Sequence, residues 1–172
     1  SFGDVYSFAR LAECESALGN YMEAEDCFQI ADSLLAKMDG VEKIRAVVLN
    51  RRATNLVKIG NVELADSCLT AAFGLDEGSI VNLVMTANNR YAMITVENPE
   101  EAYELYSNLA IYLEENGHIS SDLYAIVKSN LAYSCLLLGN TDEGIRHIEN
   151  AVSILSGKSA FTEINGFISK QT

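Results

Sequence analysis

This sequence of 172 residues has no tryptophan, one proline and only two histidines, and it carries half as many basic side chains as acidic ones. Each shortage excludes something. Proline breaks the helical hydrogen-bond ladder, so a chain whose only proline is Pro99 is free to be helical almost throughout. The pattern lacks evenly spaced short strands, and the fold class expected is all-α. Twelve Lys and Arg against 24 Asp and Glu give a formal charge of −12. Such a field repels a phosphate backbone, which excludes direct nucleic-acid binding. No apolar run reaches the roughly 18 residues of a membrane span, and SFGDVYSFAR lacks the basic-then-apolar order of a secretory signal. A soluble, cytoplasmic domain with no membrane association is expected.

Cysteine is sparse and never paired: Cys14, Cys27, Cys68 and Cys135 stand singly, without a CxxC spacing. With His118 and His147 far from each other in sequence, the spacing offers neither a metal cluster nor a Ser/His or Cys/His nucleophile arrangement. The four cysteines are expected as buried free thiols inside apolar helical stretches, and no metal or other cofactor is expected. The Gly-Lys-Ser of SGKSAF, residues 156–161, lacks the glycine-rich loop and strand of a phosphate-binding motif. The carboxylates have a structural explanation. Glu23, Glu25, Asp26, Glu63, Asp66, Glu100, Glu101, Glu104, Asp142 and Glu143 fall just after expected helix starts, where the helix dipole favours negative charge. The chain is expected not to be an enzyme.

What is present is a repeated phrase: LGNYMEAE at 18–25, IGNVELA at 59–65 and LGNTDEG at 138–144. Asn98-Pro99 takes the same place in a fourth copy. The intervals between Asn20, Asn61, Asn98 and Asn140 are 41, 37 and 42 residues, the mark of a repeat array. In each phrase the glycine can take the left-handed conformation that ends one helix, and the asparagine can cap the next by accepting from its orphan N–H groups. Glu23, Glu101 and Glu143 stand where a reciprocal capping box would need them, and Pro99 stands at a first helical position.

Small residues keep the same phase. Ala24, Ala65, Ala102 and Gly144 follow the turns, and Ala31, Ala72, Leu109 and Ala151 come two helical turns later. Ala12, Ala53, Arg90 and Ala132 precede them in the first helix of each pair. Small side chains facing across a hairpin let the backbones approach. Leu11, Leu18, Phe28, Leu69, Tyr106, Leu131 and Ile148 are expected to fill the gaps between hairpins. The third copy departs from the pattern at Arg90 and Leu109, and a slip toward Tyr91-Ala92 would fit it better. Helices are expected at about 4–18, 21–38, 42–59, 62–74, 79–96, 99–115, 121–138 and 141–156.

The stretches FARLAECESALGNYMEAEDCFQIADSLL, residues 8–35, and SNLAYSCLLLGNTDEGIRHIENAVSIL, residues 129–155, resemble the tetratricopeptide repeat (TPR) family. The resemblance covers about residues 4–156 and is best in the first, second and fourth units. The intervals exceed the family's usual period of about 34 and suit its longer, roughly 40-residue type. Armadillo or HEAT stacking, whose period is also near 40, is the alternative. The resemblance implies a right-handed α-solenoid of antiparallel helix pairs forming a TPR-like superhelix. As a single domain, 1–172, it has units at about 4–39, 41–76, 79–116 and 120–156. Residues 157–172, with Phe161, Ile164, Phe167 and Ile168, are expected to form a capping helix or a truncated fifth unit. The chain is expected to be an excerpt of a longer protein, and self-association through the solenoid ends is a further expectation.

The resemblance also implies a function. In the TPR family a groove lined by the first helix of each pair binds a peptide or helix of a partner protein. Counting back from the turns, the groove candidates are Tyr6, Glu13, Asn50, Arg51, Thr54, Asn88, Tyr91, Asn130 and Tyr133. Of these, Asn50, Arg51, Asn88, Tyr91, Asn130 and Tyr133 are the peptide-binding site expected. Asparagine offers a peptide backbone both donor and acceptor, and tyrosine an apolar face with a polar tip. The family's clamp for chaperone terminal carboxylates needs inward Lys and Arg from several units. The corresponding region here offers mainly Ala9, Asn50, Arg51, Ala87, Ser129 and Asn130, so a chaperone adaptor is not expected. A scaffold or protein-interaction module is the first reading, and the sensor domain of a bacterial signalling protein or transcription regulator is the alternative.

Overall fold

A computed structural model describes the backbone of residues 1–168 and the side chains of residues 1–156. The described residues form eight helices and no strand: α1 (Phe2–Leu18), α2 (Tyr21–Leu35), α3 (Glu42–Ile59), α4 (Val62–Leu75), α5 (Ile80–Ile94), α6 (Pro99–Glu115), α7 (Asp122–Leu137) and α8 (Thr141–Ile168). The assignment of 157–172 as a cap or fifth unit rests on side chains that lie outside the described residues. The chain divides into two compact units, Ser1–Met93 and Ile94–Thr172.

The Gly-Asn turns form as their chemistry dictates. Gly19, Gly60 and Gly139 have φ of 86°, 87° and 79°, the left-handed region open to glycine at no steric cost. The next N–H then reaches back five residues to close the preceding helix: Asn20 to the Glu15 carbonyl at 2.9 Å, Asn61 to Leu56 at 2.9 Å and Asn140 to Cys135 at 2.8 Å. This excludes the capping boxes expected at Glu23 and Glu143, because the asparagine N–H that the glutamate would accept from is already used. Side-chain capping holds at two of the turns. Asn61 accepts from the Leu64 N–H at 3.2 Å and Asn98 from the Glu101 N–H at 3.4 Å. At the first turn it fails: Asn20 makes no cap bond, and its amide donates to the Glu15 carboxylate at 2.7 Å. The Glu101 carboxylate accepts from the Asn98 amide at 2.7 Å, a side-chain pair in place of the box.

In the first unit, α1 packs on α2, α2 on α3 and α3 on α4. The small residues stand at the contacts: Ala12, Ala24, Ala31, Ala65 and Ala72 have no exposed surface, and Ala53 has 1%. Phe28 and Leu69 fill the spaces between. Leu11 and Leu18 do not, being 46% and 74% exposed. Leu11 lies one residue from buried Ala12, and about 100° of helix rotation carries it off the packed face. The third copy's register also differs from expectation. Arg90 is exposed and reaches α4, donating to Asp66 at 2.9 Å and Thr70 at 2.6 Å. Ala92 is exposed too, whereas Asn88, two residues before Arg90, is buried at 6%. The slip therefore runs backward from Arg90. Three turn residues, Thr95 to Glu97, separate α5 from Asn98 where the first two copies have a single glycine and the fourth has Leu138 and Gly139, so counting from the asparagine places α5 too late.

One charge reading changes. Glu25, expected beside a solvated helix start, is buried, and its Oε1 accepts from Arg52 Nε at 2.9 Å, Arg52 Nη2 at 2.7 Å and Gln29 Nε2 at 3.0 Å. Asp32, one turn further along α2 from Gln29, accepts from Arg45 at 2.7 Å. The α2–α3 contact is thus an ionic junction inside the first unit.

In the second unit, α7 packs against both α6 and α8. Ala102, Ala132 and Ala151 are buried at 1% exposure or less, with Tyr106 and Leu131 between them. Ile148, expected in a gap, is 40% exposed.

Candidate functional site

Within the first unit the first helices of successive hairpins lie side by side. Arg51 of α3 pairs with Glu13 of α1, and Lys58 Nζ stands 3.4 Å from Ser16 Oγ. The α3–α5 junction is held by amides. Asn50 Nδ2 donates to Asn82 Oδ1 at 3.2 Å, and Asn89 Nδ2 donates to Asn50 Oδ1 at 3.2 Å. Thr86 Oγ1 lies 3.3 Å from Asn50 Nδ2, and Asn82 Nδ2 reaches the Ala72 carbonyl at 2.8 Å. Asn50, Asn82 and Thr86 are all less than 10% exposed. Buried amides are tolerated only when bonded, and a satisfied network sets one geometry between the helices.

Above this floor α3 and α5 enclose a cavity of about 420 Å³. Ala46, Val47, Val81 and Met85 give it apolar walls, Asn50 and Asn82 its polar base, and Lys43, Arg51 and Asp76 its charges. Such a mixture, mostly apolar with a few fixed polar groups, is the usual chemistry of a binding cleft.

The six expected site residues fall in different settings. Asn50 and Arg51 both line the cavity, Arg51 exposed and Asn50 with its amide engaged in the α3–α5 network. Asn88 is buried in α5, and Tyr91 is half-buried one turn nearer its end. Asn130 and Tyr133 belong to α7 in the second unit, Asn130 half-buried and Tyr133 47% exposed. Sequence reasoning missed Lys43, Val47, Val81, Asn82 and Met85. The counting rule fixed positions from the turns at helix ends, and the cavity lies toward the start of α5, where the offset misplaces every residue. It also missed the side chains of Cys135, Glu143 and His147, whose Sγ, carboxylate oxygen and imidazole nitrogen lie within 4.8 Å of one another. Their only sequence signal is the four-residue spacing of Glu143 and His147.

Paired helices, glycine-closed turns and small contact residues define the class: this is a TPR-like repeat fold. No protein-family model matches the chain, and no curated protein matches it. Among solved structures it is similar to the crystal structure of a Podosopora anserina protein described as a kinesin light chain with nearly identical TPR-like repeats. The two share 16% identity and a TM-score of 0.63 over 91% of this chain and 76% of that one. Among the described residues no helix is long and apolar enough to cross a membrane.

Proposed function

We propose that this chain is a protein-interaction module that binds a peptide or helix of a partner protein along its first helices, with the α3–α5 cavity as the principal pocket, and that it works in the cytoplasm without catalysing a reaction. The observation that carries the reading is that cavity: about 420 Å³ with apolar walls, on a floor of mutually bonded asparagines. A rigid floor lowers the ordering cost of binding. Val47, Val81 and Met85 suit an apolar anchor of the ligand, while Lys43 favours an acidic neighbour to that anchor. Tyr91 on α5, and Asn130 with Tyr133 on α7, offer further contacts in their own units.

Peptides selected from a display library on the wild-type chain provide the ligand for a test. Met85→Ala with Val47→Ala, and separately Tyr91→Ala, should each weaken binding by about thirtyfold if the group replaced is an anchor worth about 2 kcal/mol. Binding that ignores these changes and disappears on charge reversal of the exposed Glu23, Glu63 and Glu104 would place the interaction on the second helices and overturn the proposal.

A further inference from the structure

The second unit brings together three side chains of different chemistry that the sequence holds apart. Cys135 lies five residues before the Asn140 turn and Glu143 three after it. The helices that meet at this turn approach closely because Gly144 has no side chain. A Cβ there would stand 3.1 Å from the Ala132 carbonyl oxygen and 3.4 Å from Cys135 Cβ. The close approach sets the Cys135 thiol of α7 against the first turns of α8. Glu143 and His147, four residues apart, share one face of that helix.

We propose that Cys135, Glu143 and His147 form a binding site for a zinc-class divalent metal ion. Their ligand atoms lie within 4.8 Å of one another, with His147 Nε2 and Glu143 Oε1 3.6 Å apart. A tetrahedral ion with bonds of about 2.0–2.3 Å spaces its ligands by about 3.3–3.7 Å, so small side-chain rotations close the set. Cys135 is fully buried, and the side chains of His147 and Glu143 are 17% and 32% exposed.

The independent pointer is His147 Nε2. It is shielded from solvent, and Glu143 Oε1, 3.6 Å away, lies beyond ordinary hydrogen-bond length, so no hydrogen bond among the described residues satisfies it. An orphaned buried polar atom is costly, and a metal ion would satisfy it. Tyr103 supplies an outer support: its hydroxyl donates to Glu143 Oε1 at 2.9 Å, which orients the carboxylate as partners of metal ligands commonly do. The donor set selects the ion. Thiolate, imidazole and carboxylate suit zinc and its neighbours, whereas magnesium and calcium take oxygen alone.

Binding is balanced in charge and protons. A cysteine thiol is protonated at neutral pH and must give up that proton to ligate a metal, whereas imidazole ligates in its neutral form. A divalent ion displaces one proton from Cys135 to solvent. It leaves a neutral unit of metal, thiolate, carboxylate and imidazole, with one coordination position for water. The Lys128 ammonium stands two turns before Cys135 on the same face of α7, and its positive charge opposes a cation there.

Cobalt(II) is the probe. Added to chelator-treated protein, it should bind with one-to-one stoichiometry, show a thiolate-to-cobalt charge-transfer band with the strong visible absorption of a tetrahedral site, and release one proton. One equivalent of zinc should displace it. Cys135→Ser should abolish the charge-transfer band, and His147→Ala should weaken binding at least about tenfold. Lys128→Met should tighten it, and Cys14→Ser should change nothing. Circular dichroism reports whether each variant folds. Should Cys135→Ser unfold, His147→Ala and Lys128→Met, on less buried positions, decide the matter. Absence of saturable binding, an octahedral spectrum without a thiolate band, or a band lost in Cys14→Ser and kept in Cys135→Ser would overturn the proposal.

Discussion

Replacing Arg52 by methionine removes the cation bonded to the buried Glu25 carboxylate and leaves it the neutral Gln29 amide. Glu25 is 6% exposed; of its two oxygens, Oε1 takes both Arg52 bonds and the Gln29 bond, while Oε2 has no partner. Arg52 is itself well buried, its side chain 12% exposed. Burial disfavours its charge, yet the Glu25 hydrogen bonds prevail and hold the guanidinium above its ordinary value. Removing one partner of such a pair costs about 3–5 kcal/mol, because the other charge is stranded. Replacing both with apolar residues of similar volume is frequently neutral. The single change Arg52→Met should therefore cost about 3–5 kcal/mol, and the double change Glu25→Leu with Arg52→Met should recover most of it. Asp32 loses its 3.7 Å contact with Arg52 in both but keeps Arg45 as its hydrogen-bonded partner. Urea unfolding followed by circular dichroism measures the loss, and repeat proteins warrant a check that the slope is unchanged. Arg10, whose side chain is 60% exposed in its pair with Glu13, is the control; Arg10→Met should cost less than about 1 kcal/mol. If Arg52→Met costs no more than this control, or if the double variant merely adds the two single losses, the junction is not the buried ion pair described.

Tyr124 donates to Glu114 at 2.6 Å, and its pKa is pushed up to about 12 by burial first and then by that carboxylate. Its folded value lies above the unfolded value of about 10, so the associated stability is complete below about pH 10 and fades as the pH rises toward 12. A spectrophotometric tyrosine titration should show a late phenolate step that Tyr124→Phe removes. For the thiols, Cys14 is exposed, contrary to the expected burial, Cys27 is half-buried, and Cys68 and Cys135 are buried. Cys14 should react with a disulfide reagent at once in native protein, and Cys68 and Cys135 only on unfolding, since burial keeps both protonated. Rapid titration of all four native thiols would contradict these burials.

The helices and their turns were decided locally, and the sequence alone determined them. A glycine able to hold φ near 86°, a following asparagine and an apolar period act within about one helical turn, so every expected helix starts within two residues of the observed start. The alanines at 12, 24, 53, 65, 102 and 132 were legible too, because close backbone approach accepts little else. Contacts between helices were not legible, since each residue advances a side chain by about 100° around its axis and small offsets redirect it. That is why Arg90 and Asn88 exchange roles when a three-residue turn replaces glycine, and why Glu25 meets Arg52 and not water. Asn50 likewise meets three α5 side chains before any ligand. Cys135, Glu143 and His147 share no motif spacing. Only the docking of α8 on α7 across Gly144, a property of two helices together, brings their donor atoms into one place.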